Sequence, residues 1–160
     1  MEGGKYYYRD SANGWSFKNA VQGYQSWGTV AYGIRVSANS YLYSMVSKLD
    51  LCDISDMANK LHLHDGLGQQ LYDPGLLSAN IGGTRYGATP LTMASAYATF
   101  ASEGKYCEPR PLEKITKSDG SPMKTYESKC EQAISPDIAN GVSYVLKGVL
   151  ASGGSAPKRA

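Results

Sequence analysis

Gly87-Ala88-Thr89-Pro90-Leu91-Thr92-Met93-Ala94-Ser95-Ala96-Tyr97-Ala98-Thr99-Phe100-Ala101-Ser102-Glu103-Gly104, followed by Lys105-Tyr106, is the most informative stretch of this 160-residue chain. It reads as a loop, a capped helix and a stop. Thr89 caps the first amides, and Pro90 suits the first helical position. Leu91, Ala94, Ala98 and Ala101 share one face at helical spacing, which predicts the side turned to the core. Gly104 supplies the left-handed residue that ends a helix.

N-terminal to this stretch the pattern stays helical. Residues 1–28 are rich in Gly, Tyr, Ser and Asn without a period, and read as loop with short extended pieces. Residues 29–36 predict a short helix capped by Thr29, and Ser37-Ala38-Asn39 interrupts it. Residues 40–49 resume a helix, with Leu42, Met45, Val46 and Leu49 on one face. A third helix starts at Asp53 or Ser55, with Ile54, Met57, Ala58 and Leu61 at i, i+3, i+4 and i+7. Residues 64–88 carry six Gly and one Pro, so they read mostly as loop.

Beyond the quoted helix, alternation takes over. Residues 105–116 read as extended, and Pro109 and Pro111 place them at an edge. Ser118-Asp119-Gly120 is a turn, and a return strand runs toward Cys130. Ser135-Pro136 opens a last helix whose face is Ile138, Val142, Val145 and Val149. Residues 151–160 read as a flexible tail after a folded unit spanning 1–150.

Composition bounds the function. The chain is 42% apolar and 19% charged, which fits one globular domain with a real core. Its 13 Tyr against 2 Phe read as partly buried rings around a modest core. A net charge of +2 implies neither a nucleic-acid surface nor a basic membrane patch. No apolar run approaches the ~18 residues that would span a membrane. Met1-Glu2-Gly3-Gly4-Lys5 is not a signal peptide and resembles an initiator placed on an internal segment. Cys52, Cys107 and Cys130 form no Cys-x-x-Cys pair, so no thiolate metal site is expected. Cys107 and Cys130 flank the hairpin. They either bond across it, as an oxidising compartment favours, or all three thiols stay reduced. His62-Leu63-His64 closes a helical pattern with no acidic or Cys partner at ligand spacing, so no metal is expected there either. Gly82-Gly83 lacks the Lys-Ser/Thr of a phosphate loop.

Five segments carry a resemblance, in order. They are Val36-Ser37-Ala38-Asn39-Ser40, Lys48-Leu49-Asp50-Leu51-Cys52-Asp53, the stretch from Thr89 to Tyr106, Ser118-Asp119-Gly120, and Ile134-Ser135-Pro136-Asp137-Ile138-Ala139-Asn140-Gly141-Val142. Together they resemble the transpeptidase domain of bifunctional (class A) penicillin-binding proteins, from about Trp15 to Leu150. The resemblance implies an α+β fold of the β-lactamase/transpeptidase type. This chain would supply its helix-rich middle, a short antiparallel hairpin and an incomplete sheet. It also implies serine acyl transfer on D-Ala-D-Ala stem peptides, with β-lactams acylating the same serine and no cofactor needed. The parent protein would work at the extracytoplasmic face of a bacterial membrane. The expected partners are the stem peptide, β-lactams and the remainder of the domain.

Such enzymes use Ser-x-x-Lys for the nucleophile, Ser-x-Asn for one wall and Lys-Thr-Gly for the other. On the resemblance, Ser37 is the proton relay and Asn39 the amide that orients substrate. The pattern alone is weak, since a chain of this length should contain Ser-x-Asn by chance roughly 0.4 times. Here Ser-Ala-Asn occurs at Ser11, Ser37 and Ser78, and only the copy at Ser37 lies between two helical patterns. Without the resemblance, Ser37-Ala38-Asn39 is a helix break with Asn39 capping the next helix. Ser-x-x-Lys occurs at Ser102, Ser121 and Ser155. The first closes a helix, the second lies in a turn and the third in the Gly-rich tail, so none can stack Lys one turn above Ser on a buried helix. Lys-Thr-Gly is absent. Its nearest string, Lys124-Thr125-Tyr126, carries a ring where close backbone approach needs Gly. The expectation is a transpeptidase segment inactive by itself. The alternative is a non-catalytic peptide-binding or scaffold module derived from that fold.

Overall fold

The computed structural model describes residues 18–24 and 27–156. Trp15 and the Ser-Ala-Asn copy at Ser11 lie outside them. Helix α1 spans Val30–Arg35, α2 Asn39–Val46 and α3 Leu51–Lys60. A 3-10 turn at Leu77–Ile81 precedes α4, Pro90–Ala101. Strands β1 (Lys105–Cys107), β2 (Lys114–Thr116), β3 (Pro122–Thr125) and β4 (Cys130–Gln132) follow, then α5, Pro136–Leu150.

Caps set most of these boundaries. Thr29, Thr89 and Ser135 each accept a bond from an amide three residues on, at Tyr32, Thr92 and Ile138. Pro90 and Pro136 occupy first-turn positions in which no amide hydrogen is needed. Helix α3 begins at Leu51, ahead of the Asp53 or Ser55 start expected from spacing. The reason is Asp50, whose carboxylate accepts from the Cys52 amide at 2.8 Å and lies at the positive helix end.

The strands make two separate antiparallel pairs, β1 with β4 and β2 with β3. Together with the five helices of the described residues this is an α+β arrangement with an incomplete sheet. In the first pair Tyr106 faces Glu131 and Cys107 faces Cys130. That register brings the two cysteine Cα atoms to 4.1 Å, and the sulfurs are bonded. Cys52 is free and exposed. Pro109 and Pro111 fall in the break between β1 and β2. The β2–β3 register shifts between Ile115 and Thr116, and Gly120, at φ +81°, turns the chain between the strands.

Two of the expected faces are corrected. In α4 the buried residues are Thr92, Ala96 and Thr99, whereas Leu91 is 61% exposed and Ala94, Ala98 and Ala101 are also exposed. Small residues lie all round this helix, so periodicity alone does not choose a side. The two threonines can turn inward because each hydroxyl has a local partner. Thr92 Oγ1 pairs with Thr89 Oγ1 at 2.9 Å, and Thr99 Oγ1 donates to the Ser95 carbonyl at 3.0 Å. In α5, Ala139 is fully buried and Val142, Val145 and Val149 half-buried, but Ile138 is exposed.

Two apolar clusters hold the elements together. Ala58, Tyr72 and Ala79 gather Ile54, Leu63 and Leu76, and Leu61, Ile134 and Ala139 gather Met57, Leu63 and Phe100. Tyr43, 2% exposed, ties α2 to the 3-10 turn by donating to the Leu77 carbonyl at 2.8 Å. Gly104, at φ +85°, ends α4 and lies so close to the next segment that a Cβ would sit 2.2 Å from the Ile134 oxygen. The turn after α5 is tied back to α1. Ser155 N donates to the Arg35 carbonyl at 2.8 Å, and Arg35 Nη2 donates to the Ser152 carbonyl. Residues 157–160 lie outside the described chain.

Candidate functional site

The Ser37-Ala38-Asn39 segment is the hinge between α1 and α2. Helix α1 ends with the Ala38 amide bonded to the Gly33 carbonyl at 2.9 Å and the Ser37 amide bonded to Ile34 at 3.2 Å. This six-to-one and five-to-two pair is the Schellman ending, whose left-handed residue is usually Gly. Here that residue is Ser37, at φ +57°. Its side chain is exposed and has no hydrogen-bond partner among the described residues. Gly33 allows the sharp return, since a Cβ there would lie 2.3 Å from the Cβ of Tyr41.

Asn39 is the first residue of α2 and does not cap it, which corrects the capping role drawn from its position. The cap position is held by Ala38, which has no side-chain acceptor. The Ser40 amide is bonded instead by Asn19 Oδ1 at 2.9 Å, from 21 residues upstream. Asn19 Nδ2 also donates to Ser40 Oγ at 3.0 Å. Asn39 Nδ2 donates to the Lys18 carbonyl at 2.9 Å, which leaves its Oδ1 facing away from that contact. Tyr24 donates its hydroxyl to the Val36 carbonyl at 3.0 Å. No local pattern singles out Asn19 or Tyr24, because their partners lie 21 and 12 residues away. The one available signal was Ala38, a residue unable to cap the helix it precedes.

The other candidate groups are used locally. In the second described Ser-Ala-Asn copy, Ser78 Oγ donates to Gly83 O at 2.7 Å, and Asn80 accepts from the Tyr72 hydroxyl at 2.8 Å. Among the Ser-x-x-Lys serines, Ser102 is the C-cap of α4, and Ser121 Oγ donates to Asp119 Oδ1 at 2.6 Å. That contact and the Ser121 amide hold the Asp119 carboxyl below its usual range. His62 Nε2 lies 2.7 Å from Glu131 Oε1, and its ring stacks on Tyr106 at 3.8 Å. His64 Nδ1 donates to the Asp65 carbonyl at 2.9 Å. Among the described residues no three His, Cys, Asp or Glu side chains converge as a metal site. The Asp50 carboxylate pushes the Cys52 thiol up, with Asp56 and Asp53 adding to it.

A cavity of about 690 Å³ opens beside the C-terminal half of α2 and does not include Ser37 or Asn39. Its walls include Met45, Ile54, Met57, Leu63 and Met93. They are nearly all apolar, which suits burial of a partner surface better than proton transfer. Ser37 and Asn39 lie on the loop between α1 and α2, outside that cavity.

The fold agrees with comparisons to known proteins. The family model described as the penicillin binding protein transpeptidase domain matches residues 1–160. The chain belongs to that family. It is 26% identical over 147 residues to penicillin-binding protein 1A of Clostridium novyi, covering 91% of this chain and 17% of that protein. Among solved structures it is similar to penicillin-binding protein A of Mycobacterium tuberculosis in its penicillin G acyl-enzyme complex. The TM-score is 0.71 at 18% identity, covering 86% of this chain and 35% of that one. The D,D-transpeptidase domain of a peptidoglycan glycosyltransferase from Eggerthella lenta gives a TM-score of 0.68 at 16% identity, covering 89% and 41%. The chain thus spans about one sixth of the curated relative and 35% and 41% of the two solved structures. Among the described residues no helix is long and apolar enough to cross a membrane.

Proposed function

We propose that this chain is the helix-rich middle, residues 1–150, of a peptidoglycan D,D-transpeptidase. Ser37 is the proton relay and Asn39 the amide that orients the stem peptide. The supporting observation is Ser37 itself, a non-glycine residue in a left-handed position whose exposed hydroxyl is bonded to nothing described. Backbone outliers of this kind concentrate where a side chain is presented for function.

The chemistry needs such a group. A serine nucleophile attacks the D-Ala-D-Ala carbonyl, and the peptide bond breaks as its nitrogen takes up a proton. A second hydroxyl between base and leaving nitrogen carries that proton, and an amide holds the substrate in register. β-Lactams enter the same path, since their ring C–N bond opens on the same serine. The relative solved as a penicillin G acyl-enzyme supports this reading by fold. The work would take place at the extracytoplasmic face of a bacterial membrane, with the rest of the domain supplying nucleophile and opposite wall.

Fluorescent penicillin resolved on a denaturing gel tests the reading. The isolated chain should carry no label, whereas the intact protein containing it should. In the intact protein Ser37→Ala should slow labelling by about 10²-fold, the scale of one positioned proton carrier. A label on a serine of the isolated chain, or unchanged labelling in Ser37→Ala, would overturn the assignment. Saturable stem-peptide binding by an intact protein that is never acylated would instead select the non-catalytic module.

A further inference from the structure

The segment around Asn19 contributes no group to the reaction just proposed, yet it touches the candidate loop on both sides of Ser37. On one side Tyr24 donates to the Val36 carbonyl. On the other, Lys18 accepts from Asn39, and Asn19 makes two bonds to Ser40. Ala38 and Ser40 are buried, at 0% and 6% exposure, so the two Asn19–Ser40 bonds are partly shielded from competing water, whereas the Asn39–Lys18 bond is exposed. Ser37 alone is left facing outward.

From this geometry we infer that Asn19 is a positioning residue for the Ser37–Asn39 pair, acting as the cap that α2 lacks. This rests on the reading of Ser37 and Asn39 as the substrate-facing wall. An α-helix starting at Asn39 leaves its first amides without intrahelical partners. Ala38 has no side-chain acceptor and its carbonyl takes the Tyr41 amide, so the Ser40 amide is satisfied only if an acceptor arrives from elsewhere. Asn19 Oδ1 satisfies the Ser40 amide, and its Nδ2 fixes Ser40 Oγ, so one planar amide sets both the backbone and the side chain of that turn. The adjacent Lys18 carbonyl then decides which end of the Asn39 amide turns inward. The nitrogen faces Lys18, and that bond fixes the plane of the Asn39 amide. Losing Asn19 frees the start of α2 and, with it, the amide orientation at Asn39. Displacements near 1 Å at a reacting centre cost on the order of 10²-fold in rate.

Two measurements on the intact protein test the inference. The first is hydrogen exchange at the Ser40 amide. Asn19→Ala should speed it strongly, while Asn19→Asp, which keeps an acceptor for both Ser40 groups, should restore protection. The second is acylation by fluorescent penicillin, resolved into binding and the limiting chemical rate. Asn19→Ala should slow the chemical rate on the order of tenfold to a hundredfold with little change in binding, and Asn19→Asp should recover most of it. Tyr24→Phe, which removes one hydroxyl from the other flank, should give a smaller loss and serves if Asn19→Ala does not fold. Unchanged exchange at Ser40 in Asn19→Ala overturns the cap. Faster exchange with unchanged acylation overturns the positioning role. A wild-type protein that penicillin never labels refutes the transpeptidase reading instead, and the exchange arm still decides whether Asn19 holds the loop.

Discussion

Ser37 pays a conformational cost that a glycine would not. A left-handed backbone disfavours any residue with a Cβ, by roughly 1–2 kcal/mol. His62 ends α3 in the same way, at φ +52°, with its amide bonded to Asn59 and the Leu63 amide bonded to Ala58. There the side chain returns something, through its stack on Tyr106 and its contact with Glu131. Ser37 has no such contact among the described residues. Ser37→Gly should therefore raise stability by about 0.5–1 kcal/mol, part of the relief being offset by the greater freedom of glycine in the unfolded chain. Ser37→Ala keeps the Cβ and should give no such gain. Paired urea unfolding curves check this, and a glycine variant less stable than the parent would remove the argument from strain. The expected pattern is a more stable and less active protein, the trade common at functional positions.

At the scale of elements, the β2–β3 arm is held to the body through β1, β4 and the Cys107–Cys130 bond. A cross-link at a sequence separation of 23 removes unfolded-state freedom worth about 3 kcal/mol in the chain-entropy model. Cys107→Ser paired with Cys130→Ser should cost about that much and should loosen β1 and β4 before α3. Residue-resolved hydrogen exchange reads the order, and equal loosening of α3 would contradict it. The elements themselves were largely legible because their signals are local. Thr89-Pro90, Ser135-Pro136 and Ser118-Asp119-Gly120 each state a cap or a turn within a few residues. The inward face of α4 was not legible, because alanines and threonines surround that helix and distant neighbours choose the side. The start of α3 was missed because Asp50 caps it ahead of the apolar period. The Ser37–Asn39 loop was legible as an interruption between helices. Its support was not, since Asn19 acts across 21 residues.

At the scale of the whole molecule, apolar surface stands open. Leu91, Tyr144 and Leu150 are 61%, 77% and 54% exposed, and the 690 Å³ cavity has mostly apolar walls. Such area ordinarily marks a covered interface. On the proposed reading, the rest of the transpeptidase domain covers it. The isolated chain should then bind a hydrophobic dye strongly and melt over a broad range, and the intact protein should do neither. A sharp, dye-free melt of the isolated chain would favour a self-sufficient module. One further consequence follows from Arg35, which lies two residues before Ser37 and bonds the Ser152 carbonyl across 117 positions of sequence. Closing so long a loop is entropically slow and gains nothing until the intervening helices are in place. The contact beside the candidate loop therefore belongs to the late stages of folding. A nascent or partly folded chain would have most of its helices before it had a finished Ser37 loop, so that this loop is presented in its final form only by molecules whose folding is already complete.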